Sequence, residues 1–316
     1  MPVSPQCQNH AAIPILVANA GIVHVNRHAM VTSSRRWRAV AMLIVVLAKP
    51  PPGERGFLFV ANRGALSDAR SKHEGDLRYA LRSACATGHP VRLVVETPAE
   101  AGAVRPPCGR VDVVALRNGT RRRAAVEKRQ RQFKLEAILA GLADAYPGGT
   151  LYLDNDVAVR AGAAAELFGI FDAMRRSKKA VGLSEAHVCV PRPHRARDVP
   201  DGFCERNGGV VFFGDAAAGR SLVADWLAEF DARPARDGHD QMALRRVLWR
   251  RRSELYNVPE KLQCRGVSCD PCAVYDAKTG RRPLLWHLHH KKRQKRAKHH
   301  KLRDSDRGDT VCGFAA

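Results

Sequence analysis

The sequence predicts an α/β fold, a mixed and mostly parallel sheet flanked by helices. Three observations point there. Short apolar runs bounded by turn residues recur from residue 56 onward and read as buried strands. Between them lie stretches whose apolar residues return every three to four positions, as on one face of a helix. The two kinds alternate, which is the rhythm of a sheet whose parallel strands are joined by helices. Hydrophobic residues make up 45% of the chain and charged residues 27%, which supports a packed core and argues against a disordered chain.

The elements follow in order. Gly56-Phe-Leu-Phe-Val-Ala61 is the first strand. A helix is predicted over 76–85 and is broken by Gly88-His-Pro90. Residues 91–96 and 110–115 supply two more strands, rich in valine. Leu135, Ile138, Leu139, Leu142 and Tyr146 share a face of the next helix, which Pro147-Gly-Gly149 ends. Thr150-Leu-Tyr-Leu153 follows directly as a strand. Leu167, Phe168, Ile170, Phe171 and Met174 mark an amphipathic helix, and 180–183 a short strand. Residues 186–203, rich in Pro and Arg, read as a loop. Residues 208–213 form an apolar strand. Val223, Trp226, Leu227 and Phe230 define one helix, and Met242, Leu244, Val247 and Leu248 another. Residues 284–290 are strand-like, and no internal repeat is present.

The two ends differ from this middle. Residues 1–55 read as an extension closing in Lys49-Pro-Pro-Pro-Gly-Glu-Arg55, a stiff polar linker. Within it, Met30 opens a stretch carrying Arg35, Arg36 and Arg38, and 39–48 is an unbroken apolar run. If translation begins at Met30, this describes a secretory signal or a short signal-anchor, with possible membrane association; a mobile extension or an ordinary core strand are the alternatives. No segment reaches the ~20 apolar residues that span a bilayer. Residues 291–316 open with a Lys/Arg/His block that cannot bury a core and is expected to be disordered. The folded domain is therefore placed at 56–290.

Lys and Arg number 53 against 31 Asp and Glu, a net charge of +22 that favours polyanions. Outside the tail the basic residues are scattered, and aromatic residues at 6% offer few stacking platforms, so no specific nucleic-acid partner is expected. The nine cysteines cannot all pair within the chain. The cluster Cys264, Cys269, Cys272 could hold zinc with a fourth ligand, form a disulfide, or remain as thiols.

The chemistry concentrates at Thr150-Leu-Tyr-Leu-Asp154-Asn-Asp156. In an extended segment side chains alternate, so Asp154 and Asp156 are expected on one face and Asn155 on the other. Two hard oxygen ligands at a strand end suit Mn²⁺ or Mg²⁺, a setting that often uses substrate phosphates as further ligands. Ligands of open α/β sheets gather at that edge. Asn207-Gly208-Gly209 precedes a buried strand, with glycines that let a ligand approach the backbone. His239-Asp240-Gln241 precedes a helix; Asp240 has a capping explanation and Gln241 has none. His287 and His289 share a face of the last strand and are candidate third metal ligands.

With these segments in this order, residues 56–291 resemble metal-dependent nucleotide-sugar glycosyltransferases of the GT-A fold, a Rossmann-like architecture. The resemblance is nearest to the retaining group that includes glycogenin and the bacterial lipopolysaccharide galactosyltransferases. It is carried by Phe133-Lys134-Leu135, Leu151-Tyr-Leu-Asp-Asn-Asp156, Asn207-Gly-Gly-Val210, Asp240-Gln241 and His287 or His289. It implies transfer of a sugar from a nucleotide-sugar donor, most often a UDP-sugar, to a glycan, protein or lipid acceptor. It implies Mn²⁺ (or Mg²⁺) held by Asp154, Asp156 and a C-terminal histidine. Lys134 would lie near the donor, Asn207 and Gly208 near sugar and acceptor, and Asp240 on sugar hydroxyls. Gln241 would face the reacting side of the sugar. Lys291 or Lys292 would neutralise the diphosphate. With the N-terminal run, the secretory pathway or Golgi lumen is implied; without a signal the chain is cytoplasmic. Two features depart from the group: His289 is followed by His290-Lys-Lys-Arg293 where a Gly-x-x-Lys-Pro-Trp type segment is usual, and the first strand leads into Asn62-Arg-Gly64 where a uracil-contacting aromatic is usual.

Two other classes compete. A haloacid dehalogenase-type phosphatase also ends an apolar strand in Asp-x-Asp, with the first Asp as nucleophile, and Phe213-Gly-Asp215 faintly matches its later acidic motif. A basic nucleic-acid-binding protein is suggested only by the charge and the tail.

Overall fold

The computed structural model describes residues 50–61, 72–116, 126–184, 198–232, 240–259, 262–264, 283–287, 310–311 and 314–315. The apolar run at 39–48, the basic block after His290, His239, His289 and Lys291 lie outside the described residues.

Strands β1 (Arg55–Ala61), β2 (Val91–Val95), β3 (Val111–Ala115) and β4 (Gly149–Leu153) run parallel, in the spatial order β3-β2-β1-β4. The sheet continues through β7 (Val210–Phe213), β6 (Val181–Ser184) and β8 (Leu255–Val258). Among its seven strands β7 alone is antiparallel to its neighbours, so the sheet is mixed and mostly parallel. A second sheet joins β5 (Val157–Val159), β10 (Leu285–His287) and β9 (Gln263–Cys264).

Side-chain alternation builds one core on each face. Phe57, Phe59, Ala61, Leu151, Leu153, Val210 and Phe212 point into the first core, while Leu58, Val60, Tyr152, Val211 and Phe213 point into the second. Helices α1 (Lys72–Cys85) and α4 (Ala164–Arg176) cover the first; the short α2 (Pro98–Ala103) lies beside it. Helices α3 (Val126–Gly141), α5 (Ala216–Asp231) and α6 (Asp240–Arg250) cover the second. Each fully buried phenylalanine of these cores contributes about 1.5–3 kcal/mol of transfer free energy. Both faces are apolar because both are covered, which is why the strands read as continuous apolar runs.

Some elements depart from expectation. Tyr146 lies beyond α3: its ring fills the space where a side chain at Gly56 would stand. Residues 98–103 form a helix beyond the elements expected from apolar periodicity, started by a capping box in which Thr97 accepts from the Glu100 N–H and Glu100 accepts from the Thr97 N–H. Cys85 and Cys108 form a disulfide that clips the end of α1 to the approach to β3, and Cys204 is also disulfide-bonded. The cysteine cluster at 264–272, open between zinc site, disulfide and free thiols, falls, apart from the Cys264 backbone, outside the described residues.

The site is positioned by strand order. Moving outward from β1, the chain goes to β2 on one side and to β4 on the other. The sheet therefore reverses its winding direction between β1 and β4, and the carboxyl ends of such strands flank a crevice.

Candidate functional site

Asp154 is the first residue past β4. Its N–H donates to the Gly209 carbonyl at 2.8 Å, carrying the ladder with β7 one step beyond the strand. The chain then reverses: the Val157 N–H donates to the Asp154 carbonyl at 3.0 Å. Asp154 and Asp156 thus sit in a tight turn, not on one face of an extended segment as their spacing predicts. The cause is the change of sheet, since β4 belongs to the first and β5 to the second. The turn still crowds the carboxylates. Burial, and next the charge of Asp154, push the Asp156 carboxyl up to about 6, against the pull of Lys134.

Lys134 comes from α3. Its Nζ lies 2.8 Å from Asp154 Oδ1 and 3.7 Å from Asp240 Oδ2, and donates to the Gly208 carbonyl at 3.2 Å. Burial works against the ammonium form, but Asp154 and Asp240 outweigh it and hold the group above its ordinary value. Tyr152, read from the sequence as core, has a second task. Its ring is buried and its hydroxyl donates to Asp154 Oδ1 at 2.6 Å. Burial and then the Asp154 charge keep the phenol far above its usual range, so it stays a neutral donor. The signal for it was the tyrosine itself: a hydroxyl on a core strand needs a partner.

Asp240 opens α6, and its carbonyl accepts from the Trp226 indole N–H at 2.7 Å. Gln241 follows in the same turn, half-buried. Asp154, Lys134, Asp240 and Tyr152 line a cleft of about 270 Å³ with Val60, Gln130, Arg131, Phe133 and Asn155.

Asn207 is buried behind this cleft. Its N–H donates to the Ser184 carbonyl at 3.1 Å, and its Oδ1 accepts from the Gly209 N–H at 3.0 Å. Its Nδ2 lies 3.2 Å from Nε2 of His287, the buried last residue of β10. The segment leading to Asn207 is gripped by α6, where Arg245 donates from Nε to the Phe203 carbonyl and from Nη2 to the Pro200 carbonyl, both at 2.8 Å. The neighbouring glycines make room for the protein's own side chains. A Cβ on Gly209 would collide with the Asp154 carboxylate, and one on Gly208 would stand 2.9 Å from the Trp226 ring.

The structure therefore brings Lys134, Asp154, Asp240 and the Gly208 carbonyl together, places Asp156 beside them, and pairs Asn207 with His287. Asp154 and Asp156 suit a hard divalent ion by donor type, and burial, followed by the neighbouring Asp154 charge, disfavours the ionised form of Asp156, a cost that a bound cation would offset. Among the described residues, no three His, Cys, Asp or Glu side chains are gathered closely enough to surround one ion. The acidic motif sought for a phosphatase is absent from this end: β7 runs antiparallel to β4 with Phe213 opposite Thr150, so Asp215 lies at the far end of the sheet, where it caps α5.

No protein-family model matches the chain, and no curated protein matches it. Solved structures of similar architecture include apo mouse xyloside xylosyltransferase 1, with a TM-score of 0.46 and 14% identity over 76% of this chain and 99% of that one. The glycosyltransferase GlyE of Streptococcus pneumoniae TIGR4 has a TM-score of 0.45 and 14% identity, over 74% of this chain and 54% of GlyE. A glycosyltransferase involved in glycosylation of the major capsid of PBCV-1 has a TM-score of 0.45 and 12% identity, over 79% of this chain and all (100%) of that one. Likeness of this degree carries no functional conclusion.

Proposed function

We propose that the chain is a GT-A type glycosyltransferase that moves a sugar from a nucleotide-sugar donor to an acceptor hydroxyl. The observation that carries the reading is the carboxylate turn at the carboxyl end of β4, beside the reversal of the sheet, with Lys134 bridging Asp154 to Asp240. A site for breaking a sugar–diphosphate bond needs cation-holding acids next to hydroxyl-binding acids. This turn and the start of α6 offer both.

In this reading Asp154 and Asp156 hold the ion, Mn²⁺ or Mg²⁺. When bound, such an ion supplies Lewis-acid stabilisation of the departing diphosphate. Asp240 accepts hydrogen bonds from the sugar hydroxyls and orients the ring. Lys134 holds Asp154 and Asp240 in register and supplies preorganised positive potential over the cleft. Gln241, one residue into the same helix, faces the reacting carbon. Asn207, buried with its amide engaged, holds the Gly208–Gly209 backbone beside sugar and acceptor, and Lys291 or Lys292 would neutralise the diphosphate. UDP as the nucleotide and retention of configuration are proposed from the order of the motifs. The Cys85–Cys108 disulfide supports a secretory or Golgi lumen, since such bonds persist in oxidising compartments.

The test is a screen of UDP- and GDP-sugars with and without Mn²⁺, reading released nucleotide. Release from one donor that depends on the ion, and is abolished in Asp154→Asn, is expected. Phosphate release from simple phosphate esters, with no nucleotide released from any sugar donor, would overturn the proposal.

A further inference from the structure

The hydrogen bonds around Asn207 determine which way its amide faces. Its Oδ1 accepts from the Gly209 N–H at 3.0 Å, so the atom directed at His287 is the donor Nδ2. A donor at 3.2 Å from Nε2 requires a lone pair on Nε2. The neutral imidazole then carries its proton on Nδ1. Metal ligation needs a bare ring nitrogen, and in this tautomer the bare one is engaged by Asn207. His287 is also buried, in the second sheet, opposite Val157 in β5. Among the described residues it does not join Asp154 and Asp156 in one cluster of ligands.

We propose that His287 is a positioning residue: its Nε2 accepts from Asn207 and fixes that amide, and it is not the imidazole ligand of a divalent ion. The consequence reaches the cleft through short links. Asn207 holds the Gly209 N–H; the Gly209 carbonyl holds the Asp154 N–H at 2.8 Å; and the Gly208 carbonyl holds Lys134 at 3.2 Å. His287 thereby registers the second sheet against the turn carrying the carboxylates. The effect on turnover rests on the glycosyl-transfer reading above, whereas the tautomer does not.

The experiment compares His287→Gln with His287→Ala in the full chain. Glutamine places a neutral carbonyl acceptor near the Nε2 position, so it keeps the bond to Asn207 but makes a poor metal ligand. His287→Ala is expected to lower kcat roughly 100-fold, as a misplaced group can. His287→Gln is expected to recover most of that loss, with Mn²⁺ affinity by calorimetry on donor-free protein within about threefold of wild type, below the 10-fold or greater loss of a disturbed metal site. Long-range ¹H–¹⁵N spectra of the imidazole should show the proton on Nδ1 in wild type, with the Nε2 signal moving in Asn207→Ala. The proposal is overturned if glutamine is as damaging as alanine, if His287→Gln loses Mn²⁺ affinity as Asp156→Asn does, or if the proton sits on Nε2. Should Asp156→Asn leave Mn²⁺ affinity unchanged, or no donor turn over, the reading of the site fails while the spectra still decide His287.

Discussion

Lys134 sets its ammonium 2.8 Å from Asp154 Oδ1 and 3.7 Å from Asp240 Oδ2, so one side chain from α3 ties the end of β4 to the start of α6. The three elements are distant in sequence and also share the second core, where Leu135, Tyr152 and Leu244 are buried. Removing the cation leaves two carboxylates facing each other across the cleft.

Lys134→Ala should therefore cost both stability and turnover. A broken buried pair costs about 3–5 kcal/mol, and since Asp154 is 32% exposed, solvent screening brings the expected cost below that range, to roughly 2–3 kcal/mol. Urea unfolding of the variant measures it. Lys134→Arg should restore much of the stability, because the charge is kept; an unchanged unfolding midpoint in Lys134→Ala would show that the bridge contributes nothing.

Asp156 makes a prediction about pH. Its carboxyl is raised to about 6 by burial and by Asp154. Between its unfolded value and about 6 the folded chain keeps a proton that the unfolded chain has lost. This contribution to stability is fully present below the unfolded value and is lost as pH rises through about 6. In metal-free protein, Asp156→Asn should melt at a higher temperature than wild type at neutral pH, and the gap should close near pH ~4. Mn²⁺ should stabilise the wild type more at neutral pH than in acid. Melting curves at the two pH values, with and without the ion, check the sign.

Gly209 tests the packing of the turn. A Cβ there meets the Asp154 carboxylate, so Gly209→Ala must shift either the acid or β7. Overpacking of this kind costs about 1–3 kcal/mol. Turnover should fall further than stability, because Asp154 is the group displaced. A crystal structure of the variant with Asp154 unmoved and normal turnover would contradict this.

The Cys85–Cys108 bridge spans 23 residues, for which the chain-entropy relation gives about 3 kcal/mol. Treatment with dithiothreitol, or Cys85→Ser, should lower the melting temperature while leaving the cleft residues in place. An identical melt in oxidised and reduced protein would show the bridge to be dispensable.

Much of the architecture was legible because its causes are local. A strand buried on both faces must be apolar throughout, and 56–61 is. A helix against a sheet must repeat its apolar residues, and Leu167, Phe168, Ile170, Phe171 and Met174 do so and are all buried. The helix at 98–103 carries a start signal in its Thr97–Glu100 box but no apolar periodicity, because its six residues show no buried face. The edge strand β8 carries too little apolar pattern in Leu-Tyr-Asn-Val to stand out. At the site, Asp154, Asp156, Asn207 and Asp240 could be chosen from spacing and neighbours, and Lys134 only from the family resemblance. Their partners could not. Alternation holds only inside a strand, and the strand ends at Leu153, so it does not govern Asp154 and Asp156.

What the amino-acid order determined by itself was the set of elements and the residue types able to do chemistry, because periodicity and turn formation act over a few neighbouring positions. Only the tertiary structure decided that Lys134 bridges two acids, that Tyr152 serves Asp154, and that the His287 imidazole meets the Asn207 amide. Those pairings depend on which strands lie side by side and where the chain passes from one sheet to the other. Burial across the whole molecule settles that, and no short stretch of sequence contains it.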